Sequence, residues 1–170
     1  MKSAGSTQAA AIELTDATGR LAPADVAWIR EHLARAMAWL KLSGEVSARV
    51  IGDAEMSAAH EEFAGVPGTT DVLTFDLVDD QGARTGVLEA DILVCLDEAE
   101  RQGAQAPGRR EHAARAELLL YLVHGVLHCA GHDDLTEADA QRMHAREDEV
   151  LTAIGVGPVF RRAGTGEGGA

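Results

Sequence analysis

Positive charge is what this chain has least of: 15 lysines and arginines stand against 28 aspartates and glutamates, a formal net charge of −13. Nucleic-acid binding normally draws on a basic surface that displaces counterions from phosphate, so this balance argues against tight, non-specific RNA affinity and leaves room only for local basic patches. The candidates are Arg101, Arg109, Arg110 and Arg115, then Arg142 and Arg146 at i,i+4, then Arg161 and Arg162. Most arginines of this kind merely solvate a surface. Cysteine is also scarce. Cys95 and Cys129 form no Cys-x-x-Cys pair, which fits a reducing compartment rather than a disulfide framework. Long apolar runs are missing: no window approaches 18 apolar residues, and the start Met1-Lys2-Ser3-Ala4-Gly5 lacks the apolar core of a signal peptide. The expectation is a cytoplasmic protein with no membrane partner. No linker or repeat divides the 170 residues, and a chain of that length buries roughly 70% of its unfolded surface in one core. A single domain is therefore expected over residues 10–162, with small, polar, glycine-rich ends at 1–9 and 163–170 too poor in apolar surface to order themselves.

The most informative stretch is Val123-His124-Gly125-Val126-Leu127-His128-Cys129-Ala130-Gly131-His132-Asp133-Asp134. Glu117 to Val123 is an unbroken run of good helix formers, so His124 and His128 sit at i and i+4 on a helix, with Cβ atoms about 6 Å apart on one face. Two imidazoles so placed can converge on one ion. Seven histidines in this length give about 0.3 such pairs by chance, so the bare pair is weak evidence. What strengthens it is Gly131, which tolerates the left-handed backbone that ends a helix and lets the chain turn back with a third ligand. If the helix continued, His132 would stand about 12 Å from His124 along the axis, beyond the reach of one ion. With the turn, Asp134 falls where the metzincin spacing places its third histidine. The expected ligands are His124, His128 and Asp134, with His132 in reserve, and the ligand types indicate one Zn²⁺. Cys129 points about 100° away from the histidine face and is read as core. A zincin protease needs a glutamate directly after its first histidine, and Gly125 stands there, which argues against peptide hydrolysis by that route.

The flanking pattern interleaves strands and helices. Strands are expected at 10–14, 46–51, 70–75 and 86–95, the last two joined as a hairpin through Gln81-Gly82. Helices are expected at 22–42 with Pro23 in the first turn, from an Asp53 N-cap to Phe63, at 96–102, at 109–130, and at 137–154 capped by Thr136 or Asp134 and closed by Gly155. This implies an α+β fold of mixed layers, a small mixed sheet against about five helices, with the metal site on a C-terminal helix and the turn after it. Asp71, at the opening of a strand, is either a substrate-contacting or structural polar residue of a cleft or a residue that bonds a turn backbone, and the turn-bonding role is preferred. Asp133 either orients a ligand imidazole or caps the last helix. His60, His112 and His144 lack partner spacing and are read as surface residues.

The segment from His124 to Asp134 resembles the signature His-Gly-x-Leu-His-x-x-Gly-Tyr-Asp-His of the YbeY family, metal-dependent endoribonucleases that mature ribosomal RNA in bacteria. Thr70-Asp71-Val72-Leu73-Thr74-Phe75 is similar to the family's Thr-Asp-Val-Leu-Ser-Phe strand. Leu88-Glu89-Ala90-Asp91-Ile92-Leu93-Val94-Cys95 more loosely resembles its Leu-Gly-Asp-Ile-Val-Ile-Cys strand, and order and spacing agree from about residue 45 to 154. Two departures stand out. The family's third histidine aligns with Asp134, which still supplies a zinc ligand but lowers the site's charge from +2 to +1 and makes bound water less acidic. The family's phosphate-binding arginine aligns with Ala64 of Phe63-Ala64-Gly65, so a guanidinium is missing there. The resemblance implies a zinc-dependent, single-strand-specific endoribonuclease in small-subunit rRNA 3′ end maturation and ribosome quality control. Its partners would be single-stranded RNA and the ribosome, with no DNA. The competing reading is a non-catalytic ribosome-assembly or protein-binding factor with a structural metal, which the acidic charge, Ala64 and Asp134 would also suit.

Overall fold

In the computed structural model, which describes residues 9–79, 85–106 and 112–159, strand pairing starts where the apolar alternation does. The strands are β1 (Ala11–Asp16), β2 (Ser43–Ile51), β3 (Val72–Asp76) and β4 (Val87–Cys95), in the order β1-β2-β4-β3. β1, β2 and β4 run parallel and β3 is antiparallel to β4, the hairpin expected from the sequence. Its Gln81-Gly82 turn lies outside the described residues, as do Arg109, Arg110, Arg161, Arg162 and, apart from residue 9, the tails expected to be disordered. In β4, Leu88, Ala90, Ile92 and Val94 are buried while Val87, Glu89 and Asp91 are exposed, so one sheet face carries the core.

Five helices are present among the described residues: α1 (Pro23–Trp39), α2 (Asp53–Ala64), α3 (Leu96–Ala104), α4 (Ala113–Cys129) and α5 (Glu137–Ala153). The fold is α+β, as expected. Helix α4 is its centre, packed against α1, α3, α5, β3 and β4. Its apolar run is buried nearly all round, from Leu118 to Val123 and again at Val126, Leu127 and Cys129, the pattern of a core helix rather than a surface one. Only His124 and His128 interrupt that burial, and they face the same side.

Two helix ends differ from expectation for reasons visible in the hydrogen bonds. α1 stops at Trp39 rather than Leu42, because Lys41 takes the left-handed conformation (φ 59°). The Lys41 N–H then donates to Ala38 O and the Leu42 N–H to Met37 O. This is a Schellman closure without the glycine that usually announces it. Asp53 is not an N-cap but the first residue of α2, after Gly52. Its N–H donates to Asp97 Oδ2 at 2.7 Å, so a side chain 44 residues away satisfies the helix start. Thr136 caps α5 as expected, its Oγ1 accepting from the Asp139 N–H at 3.0 Å.

Gly125 has a packing role. A Cβ there would meet Thr74 Oγ1 of β3 at 2.6 Å and Ile92 Cδ1 of β4 at 3.1 Å. Only glycine lets α4 lie this close to the sheet, and that approach brings the histidine face beside the start of β3.

Candidate metal centre

The chain turns back after α4 through a full Schellman motif. The Gly131 N–H donates to His128 O at 3.0 Å and the His132 N–H to Leu127 O at 3.0 Å, with Gly131 at φ 96°. Asp133 Oδ1 then accepts from the Asp134 and Leu135 N–H groups at 2.7 and 3.2 Å, which stiffens the loop. Asp133 therefore neither orients an imidazole nor caps α5. The turn places Asp134 Oδ2 at 3.5 Å from His124 Nε2 and 3.6 Å from His128 Nε2, and the two Nε2 atoms are 2.9 Å apart. His124, His128 and Asp134 thus each offer a ligand atom within 4.8 Å of the others. His132, the reserve ligand, is exposed and outside this group.

These three atoms suit a zinc-sized ion. A triangle with sides of 2.9, 3.5 and 3.6 Å has a circumradius of about 1.9 Å, and Zn–N and Zn–O bonds run about 2.0–2.2 Å, so one ion of that size would be within reach of all three atoms.

The group that sequence reasoning missed is Glu147 of α5, only 1% exposed. Its Oε1 accepts from His124 Nδ1 at 2.5 Å and its Oε2 from His144 Nδ1 at 2.9 Å. A carboxylate bound to Nδ1–H fixes the tautomer that leaves the Nε2 lone pair free, the usual support of a ligating imidazole. His144, read as a surface residue, therefore belongs to the site. A signal was present in the sequence: Met143, Glu147, Val150 and Leu151 form the buried stripe of α5, and a glutamate on an apolar stripe calls for a partner. Burial works against the His124 imidazolium, but the hydrogen bond to Glu147 and the charges of Glu147, Asp134 and Asp71 outweigh it and hold its pKa above the ordinary histidine value. Burial, with the positive charges of Arg146 and His128, pulls His132 down. Burial pushes the Cys129 thiol up to about 11, in keeping with a core role.

Two cavities meet at this centre. One, of about 490 Å³, runs between the start of β3 and the histidine face, lined by Thr70 to Thr74, Asp76, Cys129 and the three candidate ligands. The other, of about 240 Å³, lies on the far side of His124 between α3, α4 and α5. Asp71 borders both, its carboxylate accepting from Thr70 Oγ1 at 3.2 Å, so it is a cleft residue and not the turn-bonding aspartate expected. No lysine or arginine is among the described residues lining either cavity.

The other candidates do not line the two cavities. Arg101 clamps Asp53 and Glu98, Arg115 pairs with Asp25 over the Trp28 ring, Arg142 pairs with Asp139, and Arg146 pairs with Glu149 over Trp39. Ala64, where the family's arginine aligns, is an exposed residue at the end of α2. His60 Nδ1 bonds Gly68 O at 2.9 Å, and His112 sits at the start of α4, 3.3 Å from Asp25.

A family model described as Endoribonuclease YbeY matches residues 15–155. The chain belongs to the YbeY family. Among YbeY relatives, the endoribonuclease YbeY of Methylibium petroleiphilum is 39% identical over 75% of this chain and 75% of its own length. That of Anaeromyxobacter sp. strain Fw109-5 is 38% identical over 76% of this chain and 67% of its own. The Bacillus licheniformis YbeY is 30% identical over 85% of this chain and 95% of its own. A Thermotoga maritima protein whose structure was solved in solution superposes with a TM-score of 0.59 at 21% identity, covering 84% of this chain and 88% of that one. At that identity the likeness concerns the fold alone.

Proposed function

We propose that this YbeY protein is a zinc-dependent, single-strand-specific endoribonuclease that acts on ribosomal RNA in small-subunit 3′ end maturation and ribosome quality control. The observation that carries the reading is the convergence of His124, His128 and Asp134 at ligand spacing in a chain whose relatives are named endoribonucleases. The family match does not favour a non-catalytic assembly factor. The proposed setting is the cytoplasm and the ribosome, with no DNA or membrane partner. Among the described residues no helix is long and apolar enough to cross a membrane.

The residues divide the work as follows. His124 Nε2, His128 Nε2 and an Asp134 oxygen would hold the ion, which when bound supplies Lewis acidity toward a phosphodiester oxygen and lowers the pKa of water. Glu147 keeps the His124 proton on Nδ1, and Asp134 contributes the negative charge that distinguishes this site from one of three neutral imidazoles. Gly125 lets α4 lie directly against β3 at the cleft. The cleft walls carry no cation among the described residues and position 64 is alanine, so attraction for RNA phosphates would have to come from an ion held by His124, His128 and Asp134. The test is cleavage of a single-stranded RNA by zinc-loaded protein and by the His124→Ala variant, with circular dichroism as the fold control. Cleavage by the first and not the second is expected. Equal rates would overturn the reading.

A further inference from the structure

β3 ends the sheet: among the described residues its single strand neighbour is β4. Which backbone groups this leaves open follows from the register. The Cys95 N–H donates to Asp71 O at 2.9 Å and the Leu77 N–H to Glu89 O at 2.8 Å. Both bonds fit the antiparallel register that sets Leu73 opposite Leu93 and Phe75 opposite Asp91. In an antiparallel pair, residues that exchange hydrogen bonds alternate with residues that do not. The odd-numbered residues of β3 therefore bond β4, and the N–H and C=O groups of Val72, Thr74 and Asp76 point away from it, out of the sheet. An open edge of this kind is a template for a second extended chain. The same three residues line the cavity of about 490 Å³ that His124, His128 and Asp134 also line. The open edge and the metal centre thus share one space.

The pattern of the edge selects the ligand. Donors and acceptors alternate along it, and the three N–H groups recur at every second residue, about 6.8 Å apart. The backbone of an unstacked single strand of RNA alternates in the complementary sense, each nucleotide carrying phosphate oxygens that accept and a 2′-hydroxyl that donates. We infer that β3 holds the substrate strand along its open edge, the N–H groups of Val72, Thr74 and Asp76 donating to phosphate oxygens and their carbonyls accepting from 2′-hydroxyls. An ion at the ligand trio supplies the attraction of charge, and the edge supplies the donors that set the position of the strand. DNA lacks the 2′-hydroxyl and leaves the carbonyls unmet. A cavity of this size between a strand edge and a helix takes one strand and not a duplex. An extended peptide also pairs with a sheet edge, but this edge opens on the metal centre of a chain in an endoribonuclease family. The inference rests on the ribonuclease reading of that centre.

The test reads the edge by amide hydrogen exchange in zinc-loaded protein. The probe is a single-stranded 2′-O-methyl oligonucleotide, which resists cleavage and keeps its phosphates, and the control is its duplex with a complementary strand. In the free protein the Val72, Thr74 and Asp76 amides are expected to exchange faster than those of Leu73, Phe75 and Leu77. The single strand is expected to slow the three outward amides by about tenfold or more at saturation, and the duplex to leave them unchanged. Asp76→Pro removes one outward donor and no ladder bond, a place where an edge strand tolerates proline, and is expected to weaken binding severalfold. Asp76→Asn keeps the donor and is expected not to weaken it. As competitors of RNA cleavage, single-stranded RNA is expected to inhibit at severalfold lower concentration than DNA of the same sequence. Outward amides that exchange equally with and without the single strand, amides slowed only by a threonine-rich peptide, or DNA that inhibits as well as RNA overturn the inference even if RNA is cleaved. Protection of these amides without cleavage of any RNA supports the edge and refutes the nuclease reading.

Discussion

Replacing Glu147 with alanine probes the part of the metal centre that the ligand motif does not contain. The side chain is 1% exposed and bonds two imidazoles, His124 Nδ1 at 2.5 Å and His144 Nδ1 at 2.9 Å. Its loss frees the His124 ring to rotate and to move its proton to Nε2, where it would occupy the ligating lone pair. Removing an outer carboxylate of this kind typically lowers metal affinity 10- to 100-fold, or about 1.4–2.7 kcal/mol. Glu147→Gln retains one acceptor oxygen but presents an amide N–H to the second imidazole, so it is expected to fall between wild type and alanine. The assay is zinc competition against a chromogenic chelator at neutral pH, with thermal unfolding of the metal-free proteins as control. A Glu147→Ala affinity within twofold of wild type, with the fold intact, would show that Glu147 is only a buried structural acid and would refute the argument. Metal binding is also expected to weaken as pH falls through the raised pKa of His124, because the ion competes with a proton that Glu147, Asp134 and Asp71 stabilise.

Gly125→Ala is expected to cost about 1–3 kcal/mol in urea unfolding, since the added Cβ would lie 2.6 Å from Thr74 Oγ1 and 3.1 Å from Ile92 Cδ1. A change under about 0.5 kcal/mol would show that α4 lifts from the sheet freely. The Arg101 guanidinium holds the Asp53 carboxyl down to about 2, helped by a bond from the Cys95 thiol. A lowered carboxylate pKa stabilises the fold above its ordinary value and ceases to do so as pH falls through the folded value. Between about pH 4 and 2, wild type should therefore lose more stability than Asp53→Asn, as read by acid titration of ellipticity. Parallel titration curves would contradict this.

The candidate ligand set was legible because its geometry is local. His124 and His128 share a helix face, and Gly131 supplies the left-handed turn that carries Asp134 back, all within eleven consecutive residues. Glu147 was not legible as a partner because it meets His124 from 23 residues away, through the packing of α5 on α4. Gly125 illustrates how an argument from spacing can leave a role unseen: the missing glutamate counted against a protease, but the reason for the glycine lies in β3 and β4, which the local spacing does not encode. Element types followed from periodicity, and the boundaries that moved did so where tertiary or unsignalled bonds intervened. Lys41 ends α1 without glycine, and Asp97 satisfies the start of α2 from a distant helix. For Asp71 the turn-bonding role was preferred over the cleft alternative, because a strand-opening aspartate has the same local appearance in either case.

The most direct test of the central claim is elemental analysis of untagged protein purified under zinc-replete conditions, comparing wild type with Asp134→Ala and His132→Ala. About one ion per chain in wild type and in His132→Ala, with a marked loss in Asp134→Ala, is the expected result. No bound metal in wild type, or a loss in His132→Ala while Asp134→Ala stays loaded, would contradict the two-histidine, one-aspartate centre.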